Sequence, residues 1–138
     1  MKNIVKTAHI GLFVKDLKES VDFYSEFLDY ELEYYVAEDT SPTLFIAMIK
    51  NGDERIELLQ PKENPESAEI ENRKRDCHVA FQCKDLDAVV AKLRQSGIQT
   101  ETEEPKLLSD FGLPGNNFRS VFFRGPSGER IELTQLEK

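Results

Sequence analysis

Gly128-Glu129-Arg130-Ile131-Glu132-Leu133-Thr134-Gln135 has an earlier echo in Gly52-Asp53-Glu54-Arg55-Ile56-Glu57-Leu58-Leu59-Gln60. Both stretches end in Glu-Arg-Ile-Glu-Leu-x-Gln, and 132 − 57 gives an offset of 75 residues. A second pair, Ala8-His9-Ile10-Gly11-Leu12-Phe13-Val14-Lys15-Asp16-Leu17 and Cys77-His78-Val79-Ala80-Phe81-Gln82-Cys83-Lys84-Asp85-Leu86, is offset by 78 − 9 = 69. Loop length absorbs the small difference. The chain is one structural unit written twice, each copy opening on a histidine strand and closing on a glutamate strand.

Residues 4–14 read as a buried strand, with Ile10, Leu12 and Val14 on one face and His9, Gly11 and Phe13 on the other. Asp16-x-x-Glu19 fits a capping box, with Asp in place of Ser or Thr, and Leu17, Val21, Tyr24 and Leu28 form one helical stripe ending at Asp29. Strands are predicted at 31–37, 43–50 and 54–60, the last two joined by the hairpin signal Asn51-Gly52. Glu57 falls on the face opposite Ile56 and Leu58. Residues 61–75, rich in Pro, Glu, Asn, Lys and Arg, read as a solvated connector with room for a short helix.

The second copy repeats the pattern. Cys77, Val79, Phe81 and Cys83 form the core face and His78, Ala80 and Gln82 the other. Leu86, Val90 and Leu93 give the helix stripe, and Gly97 caps it. Strands follow near 98–103, 119–124 and 129–136. Residues 104–118, with Phe111-Gly112-Leu113-Pro114-Gly115, make a connection long enough to suggest a cover over a site. The expected architecture is α+β: two βαβββ modules forming an eight-stranded mixed sheet with a concave metal-binding face. Module one covers 4–60, the linker 61–75 and module two 76–136, within one domain over 1–138.

A net charge of −8 over 138 residues argues against nucleic-acid and anionic-membrane partners, which need a clustered positive surface. No apolar run approaches the ~18 residues of a membrane span. Cys77 and Cys83 share one strand and one parity and cannot easily bridge, which reads as a cytoplasmic chain with free buried thiols.

The only two histidines, His9 and His78, stand at equivalent repeat positions, and so do Glu57 and Glu132. All four lie on strands, opposite the apolar faces. Carboxylates in a water-poor cavity are costly unless paired or bound to metal. Two His and two Glu make a mixed N/O set suited to Zn, Ni, Co, Fe or Mn, with positions left for water or a substrate oxygen. The thiols lie on the other face and are excluded as ligands. Arg55 and Arg130 recur beside the glutamates, and a surface ladder explains them as well as a substrate anchor does.

With these residues, the chain resembles the vicinal oxygen chelate superfamily, which includes glyoxalase I, methylmalonyl-CoA epimerase, extradiol dioxygenases and fosfomycin- and bleomycin-resistance proteins. His9-Ile10-Gly11-Leu12-Phe13-Val14-Lys15-Asp16-Leu17 with Phe23-Tyr24, Ile56-Glu57-Leu58-Leu59, His78-Val79-Ala80-Phe81 and Gly125-Pro126-Ser127-Gly128-Glu129-Arg130-Ile131-Glu132-Leu133 carry the likeness. It implies His9, Glu57, His78 and Glu132 as metal ligands. It also implies a glyoxalase I-like lyase or an epimerase-like isomerase that moves a proton alpha to a carbonyl through a metal-bound enediolate. By the same resemblance Glu132 is the base and Glu57 its pseudo-symmetric counterpart. Phe13 and Pro61 stand where bacterial glyoxalase I carries its glutathione-binding Arg and Asn, which argues against glutathione as the substrate's carrier. Phe13, Leu59 and Phe122 are candidate apolar walls, and Arg119 or Lys106 candidate partners for an anionic group. A small-molecule substrate and a homodimer are expected. The alternatives are a non-enzymatic small-molecule-binding or resistance protein of this fold, and a metal-dependent transferase or oxygenase; Glu57 counts against the extradiol oxygenases, whose sites carry two His and one carboxylate.

Overall fold

The computed structural model describes residues 3, 5–75, 77–111 and 113–138. It contains β1 (Ile10–Phe13), α1 (Leu17–Leu28), β2 (Glu31–Tyr35), β3 (Leu44–Asn51), β4 (Glu54–Pro61), α2 (Glu66–Arg73), β5 (His78–Gln82), α3 (Leu86–Gln95), β6 (Lys106–Leu108), β7 (Phe118–Arg124) and β8 (Arg130–Leu136). The strands form two four-stranded mixed sheets of identical order, β1-β4-β3-β2 and β5-β8-β7-β6. In each, the first strand runs parallel to the last and the remaining pairs are antiparallel. The fold is α+β and the duplication is real. Two compact units hold these sheets: Met1–Asn72 with Pro126–Glu129, and Arg73–Gly125 with Arg130–Lys138.

The repeated sequence motif has a local physical meaning. Asp16 accepts a hydrogen bond from the Glu19 N–H, and Asp85 does the same from Ala88, so each helix starts on an Asp cap. The closing Gln of each copy supplies a second cap: Gln60 Oε1 accepts from the Leu17 N–H at 2.9 Å and Gln135 Oε1 from the Leu86 N–H at 2.7 Å. Four amide donors at a helix start lack intrahelical partners. Here the last strand of each module satisfies one of them, which ties helix to sheet.

In the first unit, Val21, Tyr24 and Leu28 of α1 are buried along with Val14, Ile49, Ile56 and Leu58. The second unit buries Leu86, Val90 and Leu93 of α3 with Val121, Phe123, Ile131 and Leu133. Each full burial of such a side chain contributes about 1.5–3 kcal/mol. The second stripe is therefore as the spacing predicts, and so is the first except that Leu17 is only half-buried. Asp29 ends α1 in the left-handed region at φ 58°, the conformation a glycine would take without strain.

Three details differ from the sequence reading. The first strand is short: it begins at Ile10, while Val5 is exposed and Ile4 lies outside the described residues. The stretch 98–103 is not a strand but makes only a bridge from Thr100 to Phe123, and the pairing strand is β6, inside the segment read as a loop. The bridge is followed at once by turns whose bonds run through side chains, Thr100 Oγ1 to the Thr102 carbonyl and Thr102 Oγ1 to the Glu104 carbonyl, which draws the backbone out of the ladder. Cys77 is exposed and Cys83 half-buried, each just beyond an end of the edge strand β5, and neither forms a disulfide. The connector carries the short helix it had room for, α2, which buries Ala68.

The end of the 104–118 segment is knitted to itself. Asp110 Oδ1 accepts from the Gly115 N–H, Asn117 Oδ1 from the Asp110 N–H, and the Asn116 amide donates to the Phe111 carbonyl. Gly112 lies outside the described residues.

Candidate metal centre

Each unit brings one of the repeat-matched histidines to its repeat-matched glutamate. In the first, β1 pairs with β4 so that Gly11 stands opposite Glu57, and His9 precedes Gly11 by two residues, on the same side. His9 Nε2 lies 3.8 Å from Glu57 Oε2. In the second unit Ala80 stands opposite Glu132, and His78 Nε2 lies 3.1 Å from Glu132 Oε1. A small residue, Gly11 or Ala80, stands opposite each glutamate. That signal, Gly11 and Ala80 at matched positions, was readable in the sequence.

The surroundings of the two pairs differ. Met48 flanks Glu57 on β3 and Phe122 flanks Glu132 on β7. The Phe122 ring meets the His78 ring edge-on at 5.2 Å, and the Arg130 guanidinium stacks 3.9 Å above it. Ser120 is buried, two residues from Phe122 and on the same side. Its hydroxyl donates to Glu132 Oε2 at 2.6 Å. Sequence reasoning passed over Ser120, although its parity with Glu132 across the β7–β8 register pointed to it.

Arg55 and Arg130 are each held in an ion pair with a glutamate. Arg55 makes a two-pronged contact with Glu33 at 3.1 and 2.9 Å, and Arg130 makes one with Glu101 at 3.0 and 3.1 Å. These hydrogen bonds hold the Glu33 and Glu101 carboxyls below the usual glutamate range. Arg119 does not share the Glu132 side. It stands opposite Gln135 and is committed to Asp87 and Glu137, so the sequence expectation of an anion partner there is not met. Lys106 stands opposite Ser120 and does share that side. Leu59 and Phe13 share the side of Glu57.

Among the described residues no group of three or more His, Cys, Asp or Glu side chains forms a metal cluster; each unit by itself supplies two donors. Two ligands at about 2.0–2.2 Å from a metal, in tetrahedral or octahedral geometry, stand roughly 3.0–3.4 Å apart. The His78–Glu132 separation matches such an edge and the His9–Glu57 separation is slightly wider. The donor chemistry, imidazole nitrogen with carboxylate oxygen, fits a borderline divalent ion.

Residues 6–133 match the Glyoxalase/Bleomycin resistance protein/Dioxygenase superfamily. The chain belongs to that superfamily. Among its members, the chain is 28% identical over 136 residues to the uncharacterized protein YaeR of Escherichia coli K12, covering 96% of this chain and 98% of that one. It is 27% identical over 153 residues to a 2-epi-5-epi-valiolone epimerase of an Actinomyces species, covering 96% and 80%. The fold is similar to that of the Listeria monocytogenes fosfomycin resistance protein FosX, solved as a point mutant with Mn(II) and 1S,2S-dihydroxypropylphosphonic acid. There the TM-score is 0.72 at 19% identity, covering 97% of this chain and 94% of that one. The superfamily thus includes an epimerase and a fosfomycin resistance protein crystallised with a divalent metal. No described helix of this member is long and apolar enough to cross a membrane.

Proposed function

We propose that this protein is a metal-dependent lyase or isomerase that transfers a proton at a carbon next to a carbonyl, with His9, Glu57, His78 and Glu132 as the metal ligands. The observation that carries the reading is the recurrence of one His–Glu pair in both copies of the fold, each with imidazole nitrogen turned to carboxylate oxygen. The epimerase among the relatives favours the same chemistry. A bound divalent ion supplies Lewis acidity at a substrate oxygen and withdraws charge from it.

The protein's own groups do the rest. A glutamate oxygen within hydrogen-bond reach takes the proton from the acidic carbon and returns it, on the same or the other face. Met48, Leu59 and Phe13 give the Glu57 side an apolar wall, and Phe122 does so beside Glu132. Such walls limit water and strengthen the electrostatics at the reacting carbon. In this reading the protein acts on a small molecule as a cytoplasmic homodimer, within a single domain.

The test combines metal analysis with deuterium wash-in. Purified protein should hold one divalent ion per chain, and His9→Ala should lower that content. Incubation in heavy water with thioester, hemithioacetal or 2-oxo acid candidates should label the carbon next to the carbonyl. Tight small-molecule binding with neither exchange nor turnover would instead identify a binding protein, and iron-dependent oxygen uptake an oxygenase.

A further inference from the structure

The two glutamates of the proposed centre are equivalent in sequence but not in their hydrogen bonds. Glu132 has both oxygens engaged: Oε1 faces His78 Nε2 at 3.1 Å and Oε2 accepts the Ser120 hydroxyl at 2.6 Å. Its side chain is only 13% exposed. Its histidine is braced as well, by the edge-on Phe122 ring, which Arg130 covers from above. The position matching Ser120 in the first unit is Ile46, two residues from Met48 on β3, and it has no hydroxyl to donate. Glu57 is twice as exposed at 26%, and its ion-pair partner His9 stands at 3.8 Å.

We infer that Ser120 is a positioning residue that would hold Glu132 in place as a metal ligand, and that Glu57 is the carboxylate that carries the proton. The inference rests on the proposed metal-binding role of the two pairs and departs from the expectation that Glu132 is the base. Its physical basis is restraint. A carboxylate with one oxygen turned to the ligand histidine and the other held by a short hydrogen bond has little freedom to swing toward a substrate carbon. Outer hydrogen bonds of this kind orient metal-ligating groups, and their loss typically costs about 10–100-fold in metal affinity. Among the described residues no hydrogen bond tethers Glu57, which leaves it an oxygen to accept a proton. The proton leaves the substrate carbon for a Glu57 oxygen and returns to carbon from the same carboxyl, so no oxidant or co-reactant is consumed.

The experiment titrates metal-free protein with manganese(II), following the free-ion resonance, with no substrate present. Ser120→Ala should weaken binding about 10–100-fold, and Ser120→Thr, which keeps the hydroxyl, should restore it. Glu132→Gln should lose more affinity than Glu57→Gln. Melting curves of the metal-free variants separate loss of affinity from loss of fold. In a second measurement at saturating manganese(II), Glu57→Gln should lose the deuterium wash-in that the wild type shows. Wild-type affinity in Ser120→Ala, or undiminished exchange in Glu57→Gln, would overturn the division of labour. Absence of manganese(II) binding by the wild type would be a different failure, that of the ligand assignment itself, and the inference would fall with it.

Discussion

Tyr24 and Glu129 meet in the interior of the first unit, where the Tyr24 hydroxyl donates to Glu129 Oε2 at 3.0 Å and the Ser127 N–H to Oε1 at 2.8 Å. Both side chains are almost wholly buried. Removing one donor strands a buried acceptor, so Tyr24→Phe should cost about 1–3 kcal/mol, read as a lower melting temperature. Burial raises the Glu129 carboxyl above its ordinary value, against the opposing pull of these donors. The folded state therefore holds this proton more tightly than the unfolded chain. The associated stability is complete below the ordinary glutamate value of 4.5 and is lost as pH rises through the raised value. Glu129→Gln lacks that loss. Its melting temperature should gain on the wild type as pH is raised from about 4.5 toward neutrality, and a difference that stays constant with pH would contradict the assignment. The same Glu stands first in both Glu-Arg-Ile-Glu motifs, yet Glu54 is exposed. The repeat marks the position, and packing alone decides that one copy is a buried acid.

Among the elements, α1 shows where local sequence is consistent with the fold and where it is not. Its cap, stripe and boundaries follow from Asp16, Val21, Tyr24, Leu28 and Asp29. Ser20 does not fit: it is fully buried and, among the described residues, its hydroxyl meets no hydrogen-bond partner. Ser20→Ala removes that unmet demand and adds a better helix former, so it should stabilise the protein by about 1 kcal/mol, measured by denaturant unfolding. The strand elements were less legible. The segment 98–103 alternates plausibly, but the Thr100 hydroxyl donates to the Thr102 carbonyl and the Thr102 hydroxyl to the Glu104 carbonyl, in turns. The ladder partner of β7 was then supplied by Lys106–Leu108, only three residues long, too short for any periodicity to announce.

At the scale of the whole molecule, the duplicated motif sends one His–Glu pair to each unit. A ligand that binds the native state alone stabilises it by mass action, by about 2.7 kcal/mol at a hundredfold excess over its dissociation constant. Manganese(II) or zinc should therefore raise the melting temperature, and a chelator should reverse the rise. His9→Ala and His78→Ala should each diminish the effect, which the metal-dependent shift in differential scanning would report. The thin restraint on Glu57 and the tight restraint on Glu132 predict that His78→Ala loses more of it.

The sequence by itself determined the duplication, the two helix stripes, both Asp caps and the parity that separates His9, Gly11 and Glu57 from the apolar face. These are local or periodic properties, and a repeat doubles the evidence for each. It also named the superfamily and the four residues proposed as ligands. Only the tertiary structure decided that Gln60 and Gln135 cap helices, that Arg119 turns to Asp87 while Ser120 turns to Glu132, and that the two halves of a symmetric motif hold their carboxylates differently. Such choices depend on which side chain the neighbouring strand brings opposite. Strand register is set by the packing of the whole sheet, and no single stretch of sequence contains it.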